Sequence, residues 1–77
     1  MSDYELDARQ LICPMPVIRT QDRIKQLQHG DRLTVICSDP GAKHDIPAWC
    51  RIHGHTVEDL QVEEKGITVV IRVGENG

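Results

Sequence analysis

Three cysteines, Cys13, Cys37 and Cys50, carry the most distinctive side-chain chemistry in this sequence. The first lies in the stretch "LDARQLICPMPVIRTQDRI", directly before Pro14 and close to Pro16. Pro14 favours an extended backbone at the residue before it. Pro16 suits the first turn of a helix, because the N–H that proline lacks would have no partner there. The sequence therefore predicts a thiol at, or just before, the N-terminal end of a helix.

This predicted position has a chemical consequence for Cys13. The N-terminal end of a helix carries partial positive charge and free N–H groups. A thiolate is stabilised there, so we expect the pKa of Cys13 to be lowered. The sequence thus predicts a positioned, nucleophilic sulfur without a neighbouring histidine base. The alternative interpretation is a small apolar residue packed at a loop–helix junction, since free cysteines are often buried.

The elements that must position this thiol follow from hydrophobic periodicity. The segment "YELDAR" predicts a first strand, with Leu6 and Ala8 on one side. A helix is predicted over residues 16–29, because its apolar residues share one helical face. These residues are Val17, Ile24 and Leu27, with Thr20 beside them. Gly30 is expected to end the helix, and His29 suits the negative end of the helix dipole.

A second strand and a second helix follow. "DRLTVICS" alternates, with Leu33, Val35 and Cys37 on one face. "AKHDIPAWCRIHG" predicts an amphipathic helix that ends at Gly54. The start of this helix has two possible positions. Asp39 could cap it with Pro40 at the first helical position, which would leave Pro47 in the interior. Asp45 could instead cap a later start, with Pro47 in the first turn.

The last third, "HTVEDLQVEEKGITVVIRV", predicts two strands joined by a turn at Glu64, Lys65 and Gly66. The expected core residues of this unit are Val57, Leu60, Val62, Ile67, Val69, Val70, Ile71 and Val73. The order β-α-β-α-β-β, with two helices on one face of a four-stranded mixed sheet, is an α/β (α+β) two-layer sandwich. We expect residues 1–77 to form a single domain.

Composition excludes several function classes. The net charge is −3, the cationic residues are scattered, and Tyr4 and Trp49 are the only aromatic residues, so no direct contact with nucleic acid is expected. No apolar run is long enough to span a bilayer. The polar segment "MSDYELDAR" is not a signal peptide, and we expect a cytoplasmic protein. Three cysteines without a C-x-x-C pair favour reduced thiols over a disulfide framework or a zinc site.

Other reactive side chains have structural interpretations. Cys37 is expected in the core, and Cys50 is expected to pack beside Trp49; a resolving role for Cys50 would require proximity to Cys13. His53 and His55 could form half of a metal site, but without further ligands a helix end with a solvent-facing histidine is more common. Single charges are interpreted as solvated, although some could draw an acidic partner. These charged residues are Arg9, Arg19, Lys43 and His44. The turn "DPG" at 39–41 could lie near the first cysteine and help form a docking surface.

The sequence around Cys13 resembles a known family. "LDARQLICPMPVI" is similar to the C-P-x-P signature of the TusA/SirA sulfur-carrier proteins, and "CSDPGAKHDIPAWC" extends the resemblance. Together with the two closing strands, the resemblance covers residues from about Tyr4 to Val73. Met15 is a departure, because members of the tRNA-thiolation type often carry an acidic residue there. A methionine at this position would give an apolar contact surface.

The resemblance implies a sulfurtransferase, or persulfide carrier, that acts through Cys13. This cysteine would accept sulfane sulfur from a cysteine desulfurase or another persulfide donor and pass it to a downstream protein thiol, with Pro14 and Pro16 supporting it. No metal or organic cofactor and no membrane are implied, and a monomer is expected. The relay could serve tRNA thiolation, molybdenum-cofactor enzymes or sulfur oxidation. The alternative function is a non-catalytic interaction or regulatory module of the same fold; RNA binding is a weaker one.

Overall fold

The computed structural model describes residues 2–12, 14–64 and 66–74. Cys13, Lys65 and the two ends of the chain lie outside these ranges, and so does every expectation about the environment of Cys13. The elements are β1 (Asp3–Ala8), α1 (Met15–Ile24), β2 (Arg32–Cys37), α2 (Ala42–Ile52), β3 (Thr56–Glu63) and β4 (Gly66–Arg72). The predicted β-α-β-α-β-β order is confirmed.

The four strands form one mixed sheet in the order β1-β2-β4-β3. Strands β1 and β2 are parallel, because α1 connects them as a crossover, whereas the other two pairings are antiparallel. Residues on one face of β2 and β4 join residues of both helices in a single buried cluster. Both helices therefore cover the same face, and the predicted two-layer architecture is confirmed.

The centre of the core is a set of directly paired residues on β2 and β4. Leu33 pairs with Ile71 and Val35 pairs with Val69, and none of these side chains is exposed. Ile46 of α2 is also fully enclosed. The predicted inward face of β2 is confirmed, since alternate residues of a strand point to opposite sides of the sheet.

Three residues of the predicted core lie elsewhere. Val70 pairs with Thr34 on the uncovered face of the sheet and is half-buried. Leu60 and Val62 lie on the helix-covered face, but their side chains are 39% and 59% exposed. The sequence analysis predicted the correct side of the sheet for both, and a bulge between Val57 and Asp59 brings Val57 to the same side. The sequence could not predict that the helical layer leaves the second half of this edge strand uncovered.

Helix α1 is shorter than the sequence predicts, because it ends at Ile24 rather than near His29. Residues 25–26 and 29–30 form turns. The carboxylate of Asp31 accepts hydrogen bonds from the N–H groups of Gln28 (2.9 Å), within this segment, and of Ser2 (3.1 Å), before β1. Gly30 has a φ of 92°. It therefore serves the turn into β2 and does not end the helix, and His29 is not at the helix terminus.

Helix α2 begins at Ala42, two residues after Pro40, the earlier of the two predicted starts, and Asp39 is not its N-cap residue. Gly41 occupies the N-cap position, no side chain caps this end, and Pro47 lies inside the helix. The carbonyl of Asp39 accepts the N–H of Ala42 at 3.0 Å, and this turn begins the helix. Asp45 lies in the first turn, so the later capped start is wrong.

The predicted end of α2 at Gly54 is confirmed. Gly54 has a φ of 80°, which is the left-handed conformation that glycine adopts without a steric penalty. The N–H of His55 donates to the carbonyl of Cys50 at 2.8 Å, which is the longer bond of a Schellman motif. No helix in the described residues is both long and apolar enough to cross a membrane.

Candidate functional site

Two loops meet at the edge of the sheet where the parallel strands β1 and β2 end. Both helices begin at this edge, because each follows one of these strands. The N–H of Gln10 donates to the hydroxyl of Ser38 at 2.8 Å. The segment that leads to α1 is thereby joined to the loop that leads to α2. Ser38 directly precedes the "DPG" turn, so this bond brings the start of that loop to Gln10; the distance of the turn from Cys13 lies outside the described residues.

The two prolines of the motif flank the beginning of α1. Pro14 occupies the N-cap position, and Pro16, the second residue of the helix, is buried. The N–H of Met15 donates to the carbonyl of Ile12 at 2.8 Å, and the N–H of Ile18 donates to the carbonyl of Pro14 at 3.2 Å. Pro16 is therefore in the first turn, as predicted. Cys13 lies between Ile12 and Pro14 in the sequence but outside the described residues.

The charges near this helix start favour an anion. The first turn of α1 contains no acidic residue, so no carboxylate in that turn opposes the partial positive charge of the helix end. The carboxylate of Asp7, on the strand that leads to α1, is bound by Arg9. The guanidinium donates from Nε to Oδ1 and from Nη2 to Oδ2, each at 2.9 Å. The hydrogen bonds from the side chain and backbone of Arg9 lower the pKa of Asp7 to about 2. Its charge is thus already paired on the surface.

The start of α1 also presents apolar side chains to solvent. Ile12 is 74% exposed and Ile18 is 40% exposed, while Pro14 is exposed and Met15 is half-buried. We call these four residues the apolar rim. Clusters of exposed apolar side chains are typical of surfaces that contact other proteins. The sequence indicated Met15 as a contact but not Ile12 or Ile18; the available signal was that Ile18 does not belong to the inward set of α1.

An open cleft of about 480 Å³ lies beside the same edge and is lined by Asp7, Arg9, Gln10 and Ser38. Small-molecule sites are usually enclosed and mainly apolar, with a few convergent polar groups. This cleft is polar, and Asp7, the one carboxylate among its described lining residues, is paired with Arg9. The geometry therefore fits contact with a macromolecule better than an enclosed substrate pocket.

The two described cysteines are poor nucleophiles. The side chains of Cys37 and Cys50 are 0% and 1% exposed. Burial raises the pKa of each thiol to about 11, and the charge of Asp39 adds to the effect at Cys37. At pH 7 only about one such thiol in ten thousand is ionised. The predicted packing of both cysteines is confirmed.

The two histidines after α2 are held by an aromatic stack and the backbone. The ring of Trp49 lies 4.7 Å from the ring of His53 and 5.2 Å from that of His55, measured between centroids. His55 is buried, and its Nδ1 accepts the N–H of Gly74 at 2.9 Å. In the described part of the chain, no three His, Cys, Asp or Glu side chains are grouped to hold a metal ion. His55 is therefore a buried, structural hydrogen-bond acceptor, whereas the sequence analysis favoured a solvent-facing histidine at this helix end.

This hydrogen bond predicts an acid-sensitive fold. Burial, with the nearby His53, lowers the pKa of His55 below its ordinary value of 6.5. The stabilisation is therefore fully present above pH 6.5 and is lost as the pH falls through the lowered pKa. We expect the thermal midpoint of the wild type to decrease when the pH is lowered from 7 to 5.5. The thermal midpoint of His55→Asn should decrease less, because asparagine keeps a hydrogen-bond acceptor but cannot titrate. His44→Asn, at an exposed position, is the control and should behave like the wild type. An equal decrease of the thermal midpoint in the wild type and in His55→Asn would contradict the role of His55 as the acid-sensitive group.

Comparisons with known proteins agree with one another. The family model described as Sulfurtransferase TusA matches residues 4–73. The sulfur carrier protein TusA of Pseudomonas syringae is 42% identical over 62 residues, which span 80% of this chain and 74% of that protein. A protein of Neisseria meningitidis serogroup A is 38% identical over 72 residues, spanning 94% of this chain and 97% of its own length. The crystal structure of a SirA-like protein from Desulfitobacterium hafniense superposes with a TM-score of 0.79 at 27% identity, covering 94% of this chain and 99% of that one.

Proposed function

The chain belongs to the TusA/SirA family, and from this premise we propose that it is a sulfur carrier that holds sulfane sulfur as a persulfide on Cys13. Relatives that are named as sulfur carriers support the general role. The observation that carries the assignment to one residue is the start of α1. Cys13 directly precedes a proline-flanked helix terminus whose first turn has no acidic residue. A helix end of this kind stabilises a thiolate.

The proposed transfer is an exchange between sulfur atoms. The Cys13 thiolate attacks the outer sulfur of a persulfide on a donor protein, a new S–S bond forms at Cys13, and the S–S bond of the donor breaks. The donor leaves as a thiolate, so no external oxidant or reductant is consumed. The thiolate of an acceptor protein then attacks the outer sulfur on Cys13, which leaves as the thiolate again. This chemistry requires no metal or organic cofactor.

The surrounding residues are assigned roles in positioning and recognition. Pro14 and Pro16 restrict the backbone on the helix side of Cys13, since proline fixes its own φ. The apolar rim supplies a surface for a cysteine desulfurase or another persulfide donor, and for the acceptor. Met15, within that rim, differs from the acidic residue often found in carriers for tRNA thiolation. Three relays are therefore kept as candidates: tRNA thiolation, molybdenum-cofactor enzymes and sulfur oxidation.

Sulfur loading of the wild-type protein tests this function directly. After incubation with a cysteine desulfurase and cysteine, we expect the intact mass to increase by about 32 Da, one sulfur, and the increase to disappear with reductant. Trypsin separates the three cysteines, because they fall in residues 10–19, 33–43 and 44–51. The added sulfur should be found in the first peptide. A rhodanese loaded from thiosulfate serves as a second donor.

The outcomes separate the candidate functions. Sulfur in the peptide 10–19 supports a carrier that uses Cys13. Sulfur in either other peptide would contradict the assignment to Cys13. No uptake from either class of donor would favour a non-catalytic interaction module, for which the apolar rim would be the binding surface.

A further inference from the structure

The strand β3 forms one edge of the sheet and is open along its outer side. It comprises the eight residues Thr56–Glu63, and within the described residues it pairs only with β4. An edge strand presents a row of backbone N–H and C=O groups that can pair with another chain. Natural edge strands are commonly protected by charged side chains, above all lysine, by proline, by a bulge or by a covering element. β3 contains acidic residues but neither lysine nor proline, and its bulge, between Val57 and Asp59, lies near its beginning and leaves the stretch from Leu60 to Glu63 regularly paired.

Two apolar side chains lie beside this open edge. Leu60 pairs with Val69 and Val62 pairs with Ile67, so both belong to the helix-covered face of the sheet. Their partners are enclosed, but Leu60 and Val62 are 39% and 59% exposed. A strand added at this edge would place its own alternate side chains next to them.

The other edge strand, β1, provides an internal comparison. Its inward side chains Tyr4 and Leu6 pack against the core. The guanidinium of Arg23 on α1 also lies over the Tyr4 ring, 5.1 Å from its centroid. The apolar side of β1 is thus covered from within the chain. The corresponding side of β3 is covered only near its beginning, where Val57 packs against the core.

The acidic side chains of β3 indicate which kind of protein segment could bind there. Glu58 is bound by Arg72 at 2.6 Å. Asp59 and Glu63 form no ion pair among the described residues, and Glu64 follows them in the turn. Two copies of β3 paired antiparallel would bring these acidic side chains together, which is unfavourable for charges facing one another across strands. A strand that alternates cationic and apolar residues would instead match both the charge and the exposed apolar side chains.

We propose that β3 is a docking edge for an extended, basic segment of a partner protein, which adds to the sheet as a fifth strand. The paired residues Ala8, Cys37, Ile67 and Val62 form one row across the sheet. At ordinary strand spacing, Val62 is about 14 Å from β1, on the edge from which the Cys13 segment leaves. A partner strand held beside Val62 would therefore lie at the same end of the sheet as Ala8, the last residue of β1. This binding goes beyond the proposed sulfur chemistry and does not depend on it.

The test uses an isotope-labelled protein and a synthetic eight-residue peptide of alternating lysine and valine. Addition of the peptide is expected to shift the backbone amide resonances of β3 and slow their hydrogen exchange, with smaller effects on β1. Replacing Leu60→Lys and Val62→Lys together should weaken binding about tenfold or more, because both exposed apolar contacts are lost and most of the negative charge of the strand is neutralised. Ile52→Lys is the matched control, since Ile52 is 77% exposed on α2, and its binding should equal that of the wild type.

Three results would overturn the proposal. Equal shifts on β1 and β3 would indicate non-specific attraction to carboxylates, because β1 also carries Asp3, Glu5 and Asp7. Self-association without peptide, seen by sedimentation and abolished by the Leu60→Lys and Val62→Lys changes, would assign the edge to a second copy of this chain. Absence of binding to the basic peptide at low salt would reject the edge as its docking site. None of these readouts involves sulfur, so they leave the proposed function untouched.

Discussion

Cys13→Ser is expected to lose sulfur uptake completely while keeping the wild-type fold. A serine hydroxyl cannot form a persulfide, and the thiolate is the reactive form of cysteine. The fold should persist because serine differs from cysteine by a single atom, and the buried cluster is built from residues of the strands and of both helices. The measurement is the reductant-labile gain of mass after incubation with the donor, together with the circular dichroism spectrum and the thermal midpoint.

The other two cysteines supply matched controls for this variant. Cys37→Ala and Cys50→Ala each remove a thiol whose pKa burial raises to about 11. Each should cost stability on the order of 1 kcal/mol, as for other small deletions in a core, and leave sulfur uptake at the wild-type level. Uptake that survives in Cys13→Ser and is lost in Cys50→Ala would move the carrier site into the core and refute the proposed mechanism.

Ile46→Ala is expected to destabilise the protein severely. The Ile46 side chain is fully buried, and deleting a large buried aliphatic group typically costs about 2–5 kcal/mol, because transfer energy is lost and a cavity forms. Small domains have stabilities of roughly 5 kcal/mol, so much of the protein could be unfolded at 25 °C. Urea unfolding, followed by the fluorescence of Trp49 on the same helix, measures the change.

The same substitution at an exposed position of α2 isolates the effect of burial. Ile52 is 77% exposed, so Ile52→Ala should change the free energy of unfolding by no more than about 0.5 kcal/mol. Helix propensity changes in the same direction in both variants, since alanine replaces isoleucine each time. If the two variants lost similar amounts of stability, the packing of α2 on the sheet would be wrong.

Hydrophobic periodicity predicted the helices and strands and their inward faces. It did not predict where the helical layer stops covering the sheet. The alternation of β2 identified Leu33 and Val35 correctly, because β2 is an inner strand: α1 packs on it, and α2 packs on the neighbouring β4. The same pattern placed Leu60 and Val62 on the correct side of β3 and still failed for burial. Coverage depends on where α2 crosses the sheet, and no local pattern in β3 records that position.

Helix ends were harder to predict because turns imitate helical spacing. Leu27 follows Ile24 at a spacing of three, and its N–H donates to the carbonyl of Ile24 at 2.9 Å. A turn of this kind continues the apolar periodicity without continuing the helix. For α2, the cost of a proline in a helix argued against the earlier start. The helix nevertheless contains Pro47, and the core contact of Ile46 beside it outweighs that local cost.

The start of the candidate site was the most predictable part, since proline acts through its own ring. Pro16 was expected in the first turn and is found there, because this preference needs no tertiary partner. The hydrogen bond from Gln10 to Ser38 joins residues 28 positions apart. It could not be predicted from the sequence of either segment alone. The apolar rim was missed for a related reason: exposure is a property of the assembled surface.

The strand order has a consequence for how this chain is made. β4 lies between β2 and β3, although it follows both of them in the chain. Until residues 66–72 have left the ribosome, one edge of β2 has no neighbour, and α2 lacks one of the two strands on which it packs. A nascent chain in which both helices have emerged therefore still lacks an inner strand of the sheet. The edge of the sheet at which α1 and α2 begin should become fixed only after β4 has inserted, so the emergence of β4, rather than that of the Cys13 motif, is the earliest point at which the protein can act.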